Sequence, residues 1–425
     1  MPILKLCYTV LFFTFTSICF AEVEEIFVGN LYDMTGPTSG IGKFAGQGKI
    51  DALEYINAHG GINGKTMRLS HLDYSYKATK AIETYKKWKR EGVTVIQGWG
   101  TADTEALVGF VSKDKVPFVS LSFSGRLTDP TGRGPNTLKA APYNFFVGPS
   151  YSDGVRALIQ WAKTDWIRHA RSGNPKYIHM GDNHPYPNAA KAPGYEYAEE
   201  LDFEIVPPIV YSLHPGEFEE QCLALKESGA DYTFLANTGG SNAALLSTCY
   251  RLKVKTQFLI NVWGMDENTM KEAGRGADGV VWVMSTASWN DRVPGMKLLR
   301  EISKISDPSG TLYRPVHYIR GVCHPYYMKE AMEWADKNGG INGPNIKKGF
   351  YQKQNWVPKG LEGVCGPSSW TATDHRGQTL IPIYQAKVSG DTRSGGVSEL
   401  TSNGILKMNK IFTADIPRKA EWIGW

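Results

Sequence analysis

Downstream of Phe20 the sequence has no apolar run that approaches the ~20 residues needed to cross a bilayer. It also lacks a long block of basic residues, and the net charge is only +5 over 425 residues. The densest basic run, residues 86–90, falls at the end of a helical pattern, where cations favour the helix dipole. The sequence therefore predicts no nucleic-acid partner and no membrane span after the first twenty residues.

Cysteine is scarce, with six in the chain, and two of these, Cys7 and Cys19, fall near the start. The four others are Cys222, Cys249, Cys323 and Cys365. An even number in an exported chain predicts disulfides, and four cysteines allow three pairings. Because Cys222 and Cys249 fall on helices that flank one strand, we expect Cys222–Cys249 and Cys323–Cys365. Free buried thiols are the alternative.

The first 21 residues have the parts of a secretory signal peptide. Lys5 supplies the positive charge, residues 6–20 form the apolar run, and residues 19–21 form a small-x-small cleavage site. The apolar run, at about 15 residues, is shorter than a membrane anchor requires. We therefore predict a signal peptide over residues 1–21, cleavage after Ala21 and a periplasmic protein.

Strand-like and helix-like patterns alternate along the first third of the chain. Strands are expected at 26–31, 67–72, 93–97 and 116–121, and helices at 44–58, 78–89 and 104–113. Strands separated by helices at this spacing predict parallel βαβ units and a doubly wound sheet.

A second alternating series follows. Its strands are expected at 177–180, 205–210, 232–236, 258–260 and 280–284, and its helices at 189–200, 217–228, 243–252 and 267–273. Helical stretches at 296–305 and 318–337, a mostly turn-like remainder and a late strand at 380–388 complete the chain. The sequence therefore predicts an α/β fold of two doubly wound, Rossmann-like lobes. Lobe 1 is expected to comprise 22–146 and 286–372, and lobe 2 to comprise 147–285 and 373–425.

Two glycine-rich segments have some features of nucleotide-binding motifs. Residues 36–43 follow a strand and open a helix, but they fail the Walker A spacing, and Phe44 replaces the Mg²⁺-binding Ser or Thr. Residues 274–279 match GxGxxG, yet they precede a strand instead of following one. Neither segment predicts a nucleotide cofactor, and we expect no cofactor of any kind.

The sequence offers no catalytic or metal-binding group with a complete set of partners. His179, Asp182 and His184 are close in sequence, but no further strong ligand is evident, so a turn is favoured and a metal site is the minor alternative. Three serines lie in no GxSxG elbow and have no His–Asp pair to activate them: Ser120, Ser122 and Ser124. We therefore expect no enzyme and no metal site.

Several segments, in this order, resemble the type I periplasmic binding proteins of ABC importers, in the branched-chain amino acid (Leu/Ile/Val) group. The segments are 28–37, 60–64 followed by 69–73, 116–120 with 127–128, and 255–258. The resemblance covers nearly the whole mature chain. It implies two lobes with a central ligand cleft, three hinge crossovers near 146–149, 284–287 and 370–375, and closure by hinge bending.

The resemblance also implies where a ligand carboxylate binds. Thr101 and Ser124 match two hydroxyl positions of the family, and Ser122 contributes its backbone. Tyr186 fits a tyrosine of the second lobe. Ile41 and Thr238 each stand where the family commonly has an aromatic ring.

The partner for a ligand ammonium group is not evident. The resemblance places an acidic residue near Val262 or Trp263, and Asp266 is displaced by about a helical turn. An unpaired buried ammonium costs several kcal/mol, so a plain amino acid is disfavoured unless Asp266 or Asp103 supplies the missing charge. Aromatic side chains after strands predict a box for a flat or apolar-bodied carboxylate or amide: Trp99, Phe123, Tyr186 and Trp263.

The predicted function is capture of a small organic ligand outside the cytoplasm by a monomer that delivers it to the permease of an ABC importer. The ligand is an amino acid, an organic or aromatic carboxylate, or an amide. A ligand-sensing receptor of the same fold is the first alternative. An exported hydrolase is the second.

Overall fold

A computed structural model describes residues 25–425. The predicted signal peptide, residues 1–21, lies outside the described residues, as do residues 22–24 of predicted lobe 1. No helix in the part that the structure describes is long and apolar enough to cross a membrane.

The first sheet has five parallel strands in the order β2-β1-β3-β4-β5. Its strands are β1 Ile26–Tyr32, β2 Met67–Asp73, β3 Val95–Gln97, β4 Phe118–Ser120 and β5 Asn144–Phe146. The helices between them are α1 Ser39–Ala58, α2 Ala78–Arg90 and α3 Thr101–Asp114. Six of the seven residues of β1 are buried, as expected for a strand covered by helices on both faces. The predicted alternation is confirmed, and β5 is an additional strand.

The second sheet has seven strands in the order β12-β11-β10-β9-β8-β6-β7. Its strands are β6 Lys176–Gly181, β7 Glu204–Val210, β8 Tyr232–Leu235, β9 Gln257–Ile260, β10 Val281–Val283, β11 Leu380–Val388 and β12 Leu406–Asp415. Strands β6 to β10 pair in parallel, whereas β11 is antiparallel to both β10 and β12. The sequence predicted turns where β12 lies, and this prediction is wrong. Because β12 is an edge strand with several exposed polar residues, it lacks a strong apolar pattern.

Ten more helices complete the described chain. They are α4 Tyr151–Arg168, α5 Pro185–Asn188, α6 Lys191–Glu200, α7 Glu219–Ser228, α8 Gly239–Arg251, α9 Glu267–Ala273, α10 Met296–Ser303, α11 Val316–Lys337, α12 Gly343–Phe350 and α13 Val397–Ser402. The sequence missed α4, because most of this helix is buried and it has no single apolar stripe. It also assigned turns to the region of α12 and α13.

The chain passes between the two sheets three times. It leaves the first sheet after β5 and the second sheet after β10, and it returns to the second sheet at β11. Between the last two crossings, α11 packs along α1 beside the first sheet. The two-lobed α/β fold is confirmed, whereas the predicted lobe boundaries stay predictions.

The end of the chain contacts both lobes. The Gly424 N–H donates to Thr128 Oγ1 over 2.8 Å on the side of the first sheet. The Trp425 Nε1–H donates to Glu196 Oε2 over 2.8 Å on α6, beside the second sheet. Residues 373–425, predicted as part of lobe 2, therefore also reach lobe 1.

Both expected disulfides are present. Cys222–Cys249 joins α7 to α8, and Cys323–Cys365 joins α11 to the segment that precedes the last crossing. The predicted pairing is confirmed, and each bond lies within one lobe.

Candidate functional site

The candidate site is a cavity between the lobes, at the edges where the parallel strands end. Residues after β1, β2, β3 and β4 form one wall: Thr38, Ile41, Tyr76, Trp99, Gly100, Thr101 and Leu121. The start of α4 and residues after β6, β8 and β9 form the other wall: Tyr151, Tyr186, Thr238 and Trp263. Ligands of open α/β sheets bind at the carboxyl ends of the strands. We call this space the aromatic cavity.

The aromatic cavity is small. Water centres can occupy about 30 Å³ of it, which is room for about two or three waters at roughly 10–15 Å³ each. A ligand larger than this requires the two walls to move apart.

None of the eleven lining residues is an aspartate, glutamate, lysine, arginine or histidine. Burial raises the pKa of Tyr151 to about 12 and raises the pKa of Tyr76 and Tyr186 as well. All three hydroxyl groups therefore stay neutral at physiological pH, and the wall offers hydroxyl groups and aromatic rings but no formal charge.

In the first lobe, Trp99 is held by a hydrogen bond and lies beside a buried lysine. Its Nε1–H donates to Thr38 Oγ1 over 3.0 Å, and the Thr38 hydroxyl donates to Asp33 Oδ2 over 2.6 Å. Lys49 Nζ lies 5.4 Å from the centre of the Trp99 ring. This amine is buried and donates to two backbone carbonyls, one of them Gly98 O over 2.8 Å. The ring orientation is therefore set within one lobe.

The start of α3 brings three hydroxyl groups together. The Thr101 backbone N–H donates to the Tyr76 hydroxyl over 3.3 Å, and Thr101 Oγ1 lies 2.8 Å from Ser122 Oγ. Gly100 allows this approach, because a Cβ there would lie 1.8 Å from a Tyr76 ring carbon. A ligand oxygen in the cavity would meet the hydroxyl groups of Tyr76 and Thr101, which line it.

In the second lobe, Asn261 organises the loop after β9. Its Oδ1 accepts from the Tyr186 hydroxyl and from the Trp263 backbone N–H, each over 2.9 Å. Its Nδ2 donates to Ala236 O over 2.8 Å. One buried amide side chain thus positions two lining residues.

The Trp263 ring packs against side chains from outside its own lobe. Its centre lies 5.3 Å from that of Phe123 and 5.6 Å from that of His317. Arg320 Cζ of α11 lies 5.3 Å from the same ring, and its Nη1 donates to Val262 O. Burial lowers the pKa of Arg320 to about 10, so the guanidinium stays charged.

Four of the residues predicted from the sequence lie behind the cavity wall. The Ser122 hydroxyl bonds to Thr101 as described, and the Phe123 ring packs behind Trp263. The Ser124 hydroxyl donates to Glu105 Oε1 over 2.6 Å. Asp266 Oδ1 caps α9 by accepting from the Thr269 N–H over 2.8 Å. The other six predicted residues line the cavity: Ile41, Trp99, Thr101, Tyr186, Thr238 and Trp263.

Tyr76 and Tyr151 are the main lining residues that the sequence reasoning missed. Tyr76 lies in a loop with a φ of 56°, three residues after β2. Tyr151 begins α4, the helix that was not predicted. The sequence signal for Tyr76 was the pair of tyrosines at residues 74 and 76, just beyond a strand end.

No group of three metal-ligating residues forms a metal site within residues 25–425. Of the three residues considered from the sequence, Asp182 Oδ2 accepts from the Leu213 N–H over 2.6 Å, and His184 Nδ1 accepts from the Tyr186 N–H over 3.3 Å. His179 is buried, and burial lowers its pKa to about 3. These contacts are those of a strand end and a turn.

The chain matches the family model described as periplasmic binding protein over residues 25–393. It is similar in structure to an ABC transporter substrate-binding protein from Aeropyrum pernix, with 23% identity, 94% of this chain and 98% of that chain covered, and a TM-score of 0.78. No curated protein matches it.

Two other solved structures are similar to this chain. A branched-chain amino acid ABC transporter protein from Thermus thermophilus with bound valine is 18% identical, with 93% and 97% of the chains covered and a TM-score of 0.77. A fatty acid ABC transporter substrate-binding protein from Thermomonospora curvata is 17% identical, with 92% and 95% covered and a TM-score of 0.75. At these identities the likeness concerns the fold.

Proposed function

The chain belongs to the family of periplasmic binding proteins, and we propose that it captures a small organic carboxylate or amide and delivers it to the permease of an ABC importer. Membership of this family implies an extracytoplasmic location. The proposal includes a cleaved signal peptide at residues 1–21, a periplasmic monomer and a place in the Leu/Ile/Val group. Of the ten residues singled out in the sequence, the six that line the aromatic cavity form the proposed site, and the other four lie behind its wall.

The observation that carries the ligand class is the uncharged wall of the aromatic cavity. A buried ammonium group requires a carboxylate partner, because an unpaired buried charge costs several kcal/mol. An amide carries no charge and avoids this cost, and a carboxylate offsets it by accepting charge-assisted hydrogen bonds from the hydroxyl groups of Thr101, Tyr76 and Tyr151. The aromatic rings bury an apolar body.

The two carboxylates that the sequence offered for an ammonium group lie outside the aromatic cavity. Asp103 Oδ1 accepts from the Tyr74 hydroxyl over 2.6 Å. Asp266 is engaged at the first turn of α9, where Oδ1 accepts from both the Thr269 N–H and the Thr269 hydroxyl. Neither lines the aromatic cavity. The proposed ligand therefore lacks an α-ammonium group.

Three compounds with one carbon skeleton test this proposal: isovalerate, isovaleramide and valine. We expect isovalerate or isovaleramide to raise the melting temperature of the protein by mass action, and valine to raise it less at equal concentration. A parallel set of phenylpropionate, phenylpropionamide and phenylalanine tests a larger body. Stabilisation by valine or phenylalanine alone contradicts the ligand class, and consumption of any of these compounds contradicts a binding function.

A further inference from the structure

The aromatic cavity adjoins a second and larger space between the lobes. Water centres can occupy about 380 Å³ of this outer cavity, against about 30 Å³ of the aromatic cavity. Ile41 and Thr238 line both spaces. The two spaces are therefore neighbours that meet at these two residues.

Two helices, one from each lobe, begin at the outer cavity. Gly40 of α1 and Gly239 and Gly240 of α8 line it. The first N–H groups of a helix have no partner within the helix. The residues at the N-cap positions, Thr38 and Thr238, make no side-chain cap hydrogen bond. Backbone at the start of one helix from each lobe thus forms part of the wall of this space.

His317 adds a buried donor to the same space. The residue lines the outer cavity, is 1% exposed, and its Nε2 has no hydrogen-bond partner among residues 25–425. Arg320 Nη1 lies 2.9 Å from His317 Nδ1, and a guanidinium is only a donor. Nδ1 is therefore the acceptor, and the proton of the neutral ring is on Nε2. Burial lowers the pKa of His317 to about 3, which keeps the ring neutral.

An acceptor lies close to this donor. Asp266 Oδ2, which also lines the outer cavity, is 3.9 Å from His317 Nε2, too far for a direct hydrogen bond. Glu272 adds a second carboxylate to the lining, and Lys43 adds an amine. A group that both accepts and donates hydrogen bonds satisfies the histidine and the aspartate together. A carboxylate would lie against Asp266, and an ammonium group would leave the histidine proton unpaired.

We propose that the ligand is elongated, with its carboxylate or amide end in the aromatic cavity and an uncharged primary amide in the outer cavity. The oxygen of the distal amide accepts from His317 Nε2–H, and its NH₂ group donates to Asp266. This inference rests on the proposed function and specifies its ligand further.

Four compounds of matched length test the inference by calorimetry: hexanoate, adipate, ε-aminocaproate and the monoamide of adipic acid. We expect the monoamide to bind about tenfold more tightly than hexanoate. Equal or tighter binding of any of the other three overturns the inference. Failure of all four and of the isovalerate set would instead contradict the proposed function.

Two variants locate the distal group. His317→Phe removes the donor and should reduce the tenfold preference for the monoamide to about twofold or less. Gly40→Tyr fills the outer cavity from a position where a Cβ meets no atom within 4 Å, and Gly40→Ala is its matched control. We expect Gly40→Tyr to weaken monoamide binding about tenfold and to weaken isovalerate binding much less. An unchanged monoamide affinity in Gly40→Tyr, with the fold intact by circular dichroism, overturns the inference.

Discussion

The two tryptophans of the aromatic cavity are held in different ways. Trp99 has its indole hydrogen bond to Thr38 and its neighbour Lys49 within the first lobe. The Trp263 ring instead packs on Phe123, which follows β4, and on Arg320 of α11, both on the side of the first sheet. One wall of the cavity is therefore complete within its lobe, whereas the other acquires its last contacts when the lobes meet.

This difference suggests how ligand capture would be coupled to the lobe closure that the family resemblance implies. We expect an open form to retain the Trp99 wall, and closure to bring Arg320 to the Val262 carbonyl and to the Trp263 ring. A ligand that contacts both walls binds the closed form more tightly, and it shifts the population by that difference in affinity.

Removal of the disulfides should have the largest effect on stability. The effect on ligand binding should differ between the bond of the first lobe and that of the second. Loop-entropy estimates give a loss of about 4 kcal/mol for replacing either pair by serine, since the separations of 42 and 27 residues are similar. Loss of Cys323–Cys365 loosens α11, which carries Arg320, so it should also weaken ligand binding. Loss of Cys222–Cys249 should leave binding unchanged. Urea unfolding and calorimetry measure both quantities, and equal affinities in the two variants contradict the difference between the walls.

The second prediction concerns a buried carboxylate at the contact between the lobes. Glu267 of α9 accepts from the Val316 N–H of α11 over 3.1 Å and from the Tyr313 hydroxyl over 3.0 Å. Burial, with a smaller contribution from Asp266, raises the pKa of Glu267 from 4.5 to about 7. The folded state therefore binds this proton more tightly than the unfolded state.

The free energy of unfolding should consequently fall as the pH rises from 4.5 to about 7. The contribution of Glu267 is about 3 kcal/mol, at ~1.36 kcal/mol per pKa unit. Glu267→Gln should flatten this part of the profile. Burial also raises the pKa of Asp103 to about 7. Asp103→Asn is therefore the matched control, because it removes a carboxyl group of similar pKa that lies inside the first lobe. A profile that Glu267→Gln leaves as steep as that of the unaltered protein would contradict this assignment.

Much of the fold follows from the sequence, and so does part of the site. The strand-end rule brought Trp99, Thr101 and Trp263 to one cavity, because parallel strands end at the same edge of a sheet. The rule says nothing of side-chain direction, so Ser124, two residues along from Ser122, bonds to Glu105 behind the wall. Tyr151 was beyond reach because α4 lacks a clear apolar stripe.

Substitution of Arg320 tests the coupling itself. Arg320→Met should weaken binding of the preferred carboxylate or amide about tenfold, because it removes the cation from the Trp263 ring and the donor from Val262 O. Arg320→Lys, which retains the charge without the planar fork, should recover part of the loss. Because the residue acts through Trp263, tryptophan emission on ligand addition should also change in Arg320→Met. If neither the affinity nor the tryptophan emission changes, Arg320 has no part in the coupling.

The smallest effect on ligand affinity is expected for a hydroxyl group that lies behind the cavity wall of the first lobe. Thr101→Ala removes a hydroxyl that lines the cavity and should cost about 1 kcal/mol in ligand affinity. Ser124→Ala removes a hydroxyl that donates to Glu105 outside the cavity, and it should change the affinity by less than about 0.5 kcal/mol. Calorimetry of the two variants distinguishes them. A larger effect of Ser124→Ala would restore the carboxylate position inferred from the family resemblance.

The most direct test of the proposed ligand is the compound that the protein itself retains during purification. Mass spectrometry of material released by unfolding should detect a small carboxylate or amide without a primary amine, in near-equal amount to the protein. A protein with Trp99→Ala and Trp263→Ala should retain much less of it. Release of a free α-amino acid from the unaltered protein, and its loss from the double variant, would contradict the central claim that the cavity has no partner for an ammonium group.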